Sequence, residues 1–364
     1  MRNHAIDQLR GLAIFLMILV NFPGSWGAIY TPLTHAEIGI RIADLVFPIF
    51  LWTVGYSIQL SLQRRRTQSN LDFCQHAFLR FLALCICGFL LSLFPNANWE
   101  DFRIPGVLQR IAFCYLIVIL LFRFFTFKTA LFVTISLSLA AALLNRFFIY
   151  GEFGLMLSTE PPTIESSLGA NFDRYIFGKH LWKESKLYDP EGILTSVCSL
   201  LTVILGLLTY QWESKTKKRN LGFLIGFCYL TFGFLLTFVF PISKNNWSLS
   251  FLFITASLIQ FIYLFFCLAA TKEKLSHLTR IFGFLFGESG KHALIIFFIS
   301  GLIARTKSFG LVRTFTFQNI LIVTQDKRLA SFLFSLLVYF LILILTFLVK
   351  RTILQSISRS RASL

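Results

Sequence analysis

A histidine and a carboxylate stand beside the start of a long apolar run. The stretch at 35–48 reads HAEIGIRIADLVFP, with His35 at its start and Asp44 next to the apolar part. Imidazole and charged groups at a membrane boundary cost free energy unless something uses them, so they are functional candidates. Histidine takes or gives a proton near neutral pH, which suits a general base. Asp44 could cap the following helix, orient His35 or bind a substrate amine.

A third candidate for the same chemistry is Asn21, where the first apolar run ends. Asparagine fills the C-terminal cap of a helix well. Its side-chain amide could instead donate a hydrogen bond to a developing oxyanion. Both roles remain open for Asn21, and together with His35 and Asp44 it forms the predicted catalytic set.

The composition determines which class of protein must position these groups. Of 364 residues, 56% are hydrophobic and only 14% are charged, whereas a soluble domain carries about 25% charged residues. The mean hydropathy is +0.71. So much apolar surface cannot be hidden in a globular core, which indicates a polytopic helical membrane protein. The formal net charge is +17, but nucleic acid is not expected as a partner because the basic residues share no face and no binding motif is present.

Ten apolar runs are long enough to cross a bilayer, which takes about 20 residues. They predict an all-α transmembrane bundle of about ten spans in a single domain covering 1–364. A further run at 308–324 is shorter and more polar, and we expect it to be interfacial or re-entrant. The predicted spans are 5–22, 42–62, 74–94, 107–126, 128–147, 192–211, 219–241, 248–270, 288–305 and 329–349.

The basic residues predict the orientation of these spans. They fall in clusters near 64–66, 123–128, 215–219 and 272–280 and in the C-terminal tail. With ten spans and a cytoplasmic N-terminus, every cluster and the C-terminus face the cytoplasm, as the positive-inside rule requires. A loop at 148–190 then lies on the outer side.

The outer side receives carboxylates, amides and aromatic rings, which suit a sugar. An ordinary wet loop explains the same composition equally well. Arg110 lies inside the outer leaflet and needs a carboxylate or a ligand. A helix N-cap explains the carboxylate of Asp189, but it does not also explain that of Glu191. The predicted substrate-binding residues are Arg103, Arg110, Asn171, Asp173, His180, Asp189, Glu191, Asn246 and Trp247.

Neither the other histidines nor the cysteines indicate a second kind of reactive site. Of six histidines only His35 and His180 are predicted to face outward, and His35 is held closer to the membrane. Seven cysteines lie in or beside apolar runs without a C-x-x-C pair. They indicate buried apolar side chains, so neither a disulfide framework nor a metal site is expected.

Several motifs, in one order along the chain, carry a family resemblance. The chain resembles the transmembrane heparan-α-glucosaminide N-acetyltransferase family, and within it the shorter bacterial NagX-like members. The motifs are DQLRG at 7–11, MILVN at 17–21, the stretch at 35–48, RIPGVLQR at 103–110, DPEG at 189–192 and NWSLS at 246–250.

The resemblance implies transfer of an acetyl group from cytosolic acetyl-CoA to the amine of a glucosamine-type sugar on the far side of the membrane. The family's active-site histidine falls on His35 and its asparagine on Asn21. His35 would act as general base or as a transient acetyl carrier. A homodimer is also implied, whereas heparan itself is not expected as the acceptor. For the coenzyme A phosphates the candidates are the cytoplasmic cations Arg64, Arg65, Arg123 and Lys128, which the positive-inside rule explains as well.

Two other functions stay open at this point. An amino-sugar permease would also be a helical bundle with polar groups at helix ends. It would distribute polar residues through its spans, whereas here they concentrate on the predicted outer face, which favours an enzyme. An O-acyltransferase acting on an envelope glycan would use similar chemistry.

Overall fold

A computed structural model describes residues 3–151, 154–216, 219–270 and 277–362. Parts of the predicted outer loop and of two predicted cytoplasmic clusters, at 152–153, 217–218 and 271–276, lie outside the described residues. The described chain is helical except for one antiparallel hairpin. Its strands are β1, Phe148–Gly151, and β2, Gly154–Leu157, with Phe148 opposite Leu157. The all-α prediction is confirmed, and the hairpin is a small addition in the loop at 148–190.

The helices follow the apolar runs closely. Two 3₁₀ turns, Thr31–Leu33 and Ile42–Leu45, lie between the first two helices. In chain order the helices are α1 His4–Asn21, α2 Val46–Arg64, α3 Asn70–Leu93, α4 Val107–Phe124, α5 Phe127–Phe147, α6 Leu168–Phe177, α7 Ile193–Thr216, α8 Arg219–Leu236, α9 Leu249–Ala269, α10 His277–Lys291, α11 Ala293–Ala304, α12 Lys307–Thr324 and α13 Lys327–Ala362.

Short polar side chains start several of these helices. Asn3 accepts a hydrogen bond from the Ala5 N–H at 3.0 Å in front of α1. Ser69 and Thr126 do the same for α3 and α5. Such caps satisfy N–H groups that have no partner inside the helix, so each apolar run begins at a defined residue.

The chain is a multi-pass membrane protein. Within its described part, eight helices are long and apolar enough to cross a membrane, or nine if one bent pair counts as a span. Seven of the predicted spans correspond to α1, α3, α4, α5, α7, α9 and the first part of α13, and an eighth corresponds to 42–64. The orientation of the termini stays a prediction.

Two predicted spans differ from the structure in detail, and a third segment agrees with the expectation that it is not a regular span. The predicted span at 288–305 is not one straight helix, because Arg280–Lys291 and Ala293–Ala304 meet at 80°. The predicted span at 219–241 already ends as α8 at Leu236, before Pro241, whose ring disfavours helix at the preceding residue. The weak run at 308–324 forms α12, which has no buried residue and is not among the candidate spans.

The chain clusters into two compact units. The first unit consists of 1–35, 41–46 and 269–364. Inside it, α1 packs against α10 with backbone-to-backbone approach. A Cβ on Gly11 would lie 1.8 Å from the carbonyl oxygen of Phe286, and one on Gly290 would lie 1.7 Å from that of Asp7. Close approach at small residues drives helix association in membranes, where the lipid tails are as apolar as the side chains.

The second unit consists of 36–40 and 47–268 and uses the same device between α2 and α7. A Cβ on Gly55 would lie 1.8 Å from the carbonyl oxygen of Val203, and one on Gly206 would lie 1.9 Å from that of Trp52. This crossing makes α7 the most buried candidate span, with 72% of its apolar window inside the structure. The prediction of a single domain stays a prediction.

Candidate functional site

His35 and Asp44 form a hydrogen-bonded pair inside the first unit. His35 Nδ1 lies 2.8 Å from Asp44 Oδ1. The Asp44 side chain is completely buried, whereas half of the His35 side chain is exposed. Of the three roles open to Asp44, the geometry combines two, since its other oxygen accepts a hydrogen bond from the Arg41 N–H at 3.0 Å at the start of the 3₁₀ turn.

Arg41 fixes the loop that carries the histidine. Its guanidinium donates to the carbonyl oxygen of His35 at 3.0 Å and to the hydroxyl of Thr34. The sequence analysis did not select Arg41, although it stands between His35 and Asp44 in the same motif. With both its backbone and its imidazole held, His35 has little freedom to rotate away.

The pair defines how the imidazole can act. A carboxylate accepts hydrogen bonds only, so Nδ1 carries the proton and donates it to Asp44. The lone pair is then on Nε2, at the other edge of a half-exposed ring. A neutral imidazole held in this tautomer can take a proton from a substrate.

Asn21, the third member of the predicted set, is the last residue of α1 and is exposed. The capping position belongs to Phe22, whose N–H donates to the carbonyl oxygen of Ile18 at 3.0 Å. The possible role of Asn21 as the cap is therefore wrong. Its amide belongs to the first unit, as do His35 and Asp44.

In the second unit, Arg103 joins the predicted residues Asp189 and Glu191. Its Nε donates to Asp189 Oδ2 at 2.8 Å, and a second nitrogen contacts both carboxylates. Burial opposes the charge on Glu191, yet the arginines hold the pKa of this carboxyl below its ordinary value. The cluster is therefore an ionic network that ties the segment before α4 to the segment before α7.

Arg110 has the partners that its position inside a span demands. Its guanidinium donates to the hydroxyls of Ser196 and Thr195 and to the carbonyl oxygen of Pro190. It lies over the rings of Phe47 and Trp247, with its Cζ about 5 Å from each centroid. This arginine, which is 2% exposed, thus has internal partners for its Nε and for one of its two Nη atoms.

The predicted loop residues bind other groups of the protein, both inside and outside their loop. Asp173 is buried and accepts the Ile193 N–H at 2.9 Å at the start of α7. Burial raises the pKa of Asp173 to about 7, and the neighbouring Asp189 adds to this while the Ile193 N–H opposes it. Asn171 bonds to Arg174 and to the carbonyl oxygens at the start of α6. His180 Nδ1 lies 2.9 Å from the carbonyl oxygen of Phe102.

A cleft of about 650 Å³ opens in the second unit. Of the residues predicted to bind substrate, Asn246 lines it. Trp247 does not, because its ring is buried and its Nε1 donates to Thr202. The sequence analysis missed other polar residues of the wall, of which Arg146 gave a signal as a charge at the end of an apolar run. The wall consists of Glu37, Ile38, Ala142, Asn145, Arg146, Pro161, Pro162, Thr163, Ile164, Glu165, Tyr188, Phe240, Pro241, Ser243, Asn245, Asn246 and Ser248.

The four cations predicted for coenzyme A differ in what they contact. Arg123 donates to Asn70 and to the carbonyl oxygen of Gln68 at 2.7 Å, so it holds the turn between α2 and α3. Arg65 is within 3.4 Å of the Gln68 side chain. Arg64 and Lys128 are exposed. Within the part of the chain that the structure describes, no group of three or more potential metal ligands occurs.

A comparison with known families covers the first part of the chain. Residues 2–163 match the family model described as "Heparan-alpha-glucosaminide N-acetyltransferase, catalytic". This match spans less than half of the 364 residues and is a similarity of that region. The matched residues contain the three predicted catalytic residues and the cleft residues Glu37, Asn145 and Arg146, whereas Asp189 and Asn246 lie beyond the matched region of the N-acetyltransferase family.

Two curated relatives extend the similarity. The heparan-alpha-glucosaminide N-acetyltransferase of Mus musculus is 29% identical over 309 residues, covering 69% of this chain and 46% of the relative. That of Homo sapiens is 28% identical over 328 residues, covering 72% and 48%. The chain thus spans about half the length of these relatives and is a distant homologue of them.

Proposed function

We propose that the protein is a membrane acetyltransferase that moves an acetyl group from acetyl-CoA to the amine of a glucosamine-type sugar. The observation that carries the proposal is the 2.8 Å contact between His35 and a buried Asp44, inside the region that matches the N-acetyltransferase catalytic family. A histidine held in one tautomer by a carboxylate is the arrangement that general-base catalysis needs.

The proposed reaction uses the pair as follows. The amine nitrogen attacks the thioester carbonyl carbon, forming the C–N bond as the C–S bond breaks. His35 Nε2 takes the proton that the amine sheds, and the imidazolium then gives this proton to the coenzyme A thiolate as it leaves, which restores the neutral base. Asn21 is proposed to donate a hydrogen bond to the carbonyl oxygen as negative charge develops on it. Asp44 stabilises the imidazolium that forms.

Donor and acceptor are proposed to enter from opposite sides. The predicted cytoplasmic cations Arg64, Arg65 and Lys128 offer charge to the coenzyme A phosphates, and the cleft in the second unit offers polar walls to a sugar. The bacterial inner membrane, with the cleft outward, is the proposed location.

The first prediction concerns His35→Ala. Loss of a general base lowers acetyl transfer from labelled acetyl-CoA to glucosamine by at least about two orders of magnitude. Detergent-purified protein is the material for this assay. The matched control is His180→Ala. The His180 imidazole also makes a hydrogen bond, but to the backbone carbonyl oxygen of Phe102 and not to a carboxylate. This variant should retain activity within a few-fold. Activity of His35→Ala near that of the wild type would contradict the mechanism.

One observation also favours the amino-sugar permease. The 80° break between Arg280–Lys291 and Ala293–Ala304 resembles the interrupted helices that form transporter binding sites. Uptake of labelled glucosamine into proteoliposomes without acetyl-CoA separates the two functions. Uptake that His35→Ala leaves unchanged would support the permease.

A further inference from the structure

The cleft of the second unit contains two hydrogen-bond donors for which the described chain supplies no acceptor. They are Nδ2 of Asn145 and Nη1 of Arg146, and both atoms are buried. Both residues line the cleft, and Asn145 is only 4% exposed. Buried donors are almost always paired, so each of these two donors needs a partner, and the cleft is the open volume that both residues line.

Neither donor can turn to another partner, because the rest of each side chain is fixed. Oδ1 of Asn145 accepts the Gly169 N–H at 2.9 Å, which also defines which end of the amide carries the hydrogens. Nε of Arg146 donates to the carbonyl oxygen of Val239 at 2.6 Å, and Nη2 lies 3.4 Å from that of Thr159. The donors are therefore preorganised, side by side at the end of α5.

A guanidinium and an amide N–H select a ligand that has acceptor oxygens, and an anion gives the stronger, charge-assisted bonds. Glu37 and Glu165 favour a positively charged group on the ligand, because both residues line the same cleft and their carboxylates can bind an ammonium group. Two carboxylates against one guanidinium disfavour a phosphate or sulfate dianion. They match a ligand that carries one ammonium and one carboxylate.

We propose that Asn145 and Arg146 form an acid-binding subsite and that the acceptor is an amino sugar carrying its own carboxylate. The inference rests on the proposed acetyltransferase function and narrows its substrate class. A volume of about 650 Å³ is suitable for such a sugar, since small-molecule sites measure about 300–1,000 Å³. The ammonium end would lie at Glu37, the wall residue nearest to His35 along the chain.

The test compares muramic acid with glucosamine as acceptors for the full-length purified protein. Muramic acid is glucosamine with a carboxylate-bearing ether, so the pair isolates the acid. We expect a higher kcat/KM for muramic acid. Asn145→Asp keeps the oxygen that accepts the Gly169 N–H and replaces the donor by a carboxylate oxygen. It should lower the ratio of the two kcat/KM values by about tenfold or more.

Asn245→Asp is the matched control, because it adds the same charge to the same cleft at a residue that carries neither of the two unpaired donors. It should change the ratio by less than about threefold. Arg146→Lys serves as the second variant if Asn145→Asp does not fold. It keeps the charge but loses the planar fork, and it should also reduce the preference for muramic acid. Equal effects of all three substitutions on both sugars would overturn the inference.

Binding measured without acetyl-CoA separates this inference from the proposed function. Muramic acid should raise the melting temperature of the wild type but not that of Asn145→Asp, since only a ligand bound by the folded state stabilises it. If this shift occurs while no amine is acetylated, the subsite stands and the acetyltransferase fails. If glucosamine is acetylated and muramic acid neither binds nor reacts, the subsite fails and the acetyltransferase stands.

Discussion

At the residue scale, the described site depends on one imidazole held by one buried carboxylate. Asp44 is buried completely, yet both its oxygens have partners, namely His35 Nδ1 and the Arg41 N–H. A buried carboxylate with satisfied oxygens stays in place, so the orientation of the ring is built into the fold. The chemistry proposed for His35 therefore depends on a second residue that never needs to contact substrate.

The second prediction, the Asp44→Asn substitution, tests this positioning role. An asparagine oxygen still accepts the Arg41 N–H, but its NH₂ group now faces Nδ1 and selects the tautomer with the proton on Nε2. We expect kcat to fall by at least about tenfold, with little change in the KM for acetyl-CoA. The measurement is steady-state acetyl transfer in detergent.

The control for Asp44→Asn is Asp72→Asn, because Asp72 also stands in a first helical turn beside a capping residue. That variant should behave as the wild type. A loss confined to KM, with kcat preserved, would mean that Asp44 serves donor binding and does not orient the imidazole.

At the element scale, the start of α7 concentrates the carboxylates of the second unit. Asp173 binds the Ile193 N–H, and Asp189 accepts the Glu191 N–H at 2.9 Å. Carboxylates near a helix N-terminus are stabilised by its dipole and satisfy N–H groups that lack partners. Arg103 and Arg110 join this end of α7 to α4 and the segment before it. Residues predicted to bind a sugar thus also hold two spans together.

The third prediction is a dependence of stability on pH that comes from Asp173. Folding raises its pKa from 3.8 to about 7, so the folded chain binds this proton more tightly than the unfolded chain. The contribution to the free energy of unfolding is therefore complete below about pH 4 and is lost as the pH rises through about 7.

Asp173→Asn should remove this dependence, because the amide oxygen still accepts the Ile193 N–H and no charge forms. We expect its melting temperature relative to wild type to rise by about 2 °C or more between pH 5 and pH 8. Thermal unfolding in detergent is the measurement, with the exposed Glu184→Gln as control. A difference that is the same at both pH values would contradict the burial effect.

At the scale of the whole molecule, charge and hydropathy together predict how the chain lies in the membrane. Eight or nine spans in the described part agree with a multi-pass protein, and clusters at 64–66 and 215–219 contribute to the net charge of +17. Basic loops stay on the cytoplasmic side because they resist translocation. The same rule puts the loop at 148–190 outside, and with it much of the cleft wall.

The fourth prediction tests this orientation with two cysteine substitutions. Ser214→Cys lies at the end of α7 beside a basic cluster, and Asn98→Cys lies between α3 and α4. An impermeant thiol reagent added to intact cells should label Asn98→Cys and leave Ser214→Cys unlabelled, relative to the wild type with its native cysteines. Labelling of Ser214→Cys from outside would invert the predicted topology.

The sequence by itself determined what depends on neighbours along the chain. Hydropathy over about 20 residues gave the spans, because an apolar helix in lipid satisfies its own backbone. The helix starts were predicted less well, since the hydropathy of the runs gave 74 and 128, whereas α3 and α5 begin directly after the capping residues Ser69 and Thr126. His35 and Asp44 could be selected because both stand in one short motif, although the motif alone left three roles for Asp44.

Only the tertiary structure decided what depends on direction and on distant partners. The hydropathy of a segment does not depend on the direction of its helix axis, so the 80° bend at 292 was not predicted. Arg103 and Asp189 are 86 residues apart, and their pairing requires α4 and α7 to be neighbours. The unpaired donors of Asn145 and Arg146 became visible only when the partners of buried groups were identified in the folded chain. An unpaired atom is a property of the packed chain, since in the unfolded chain water pairs with all of them.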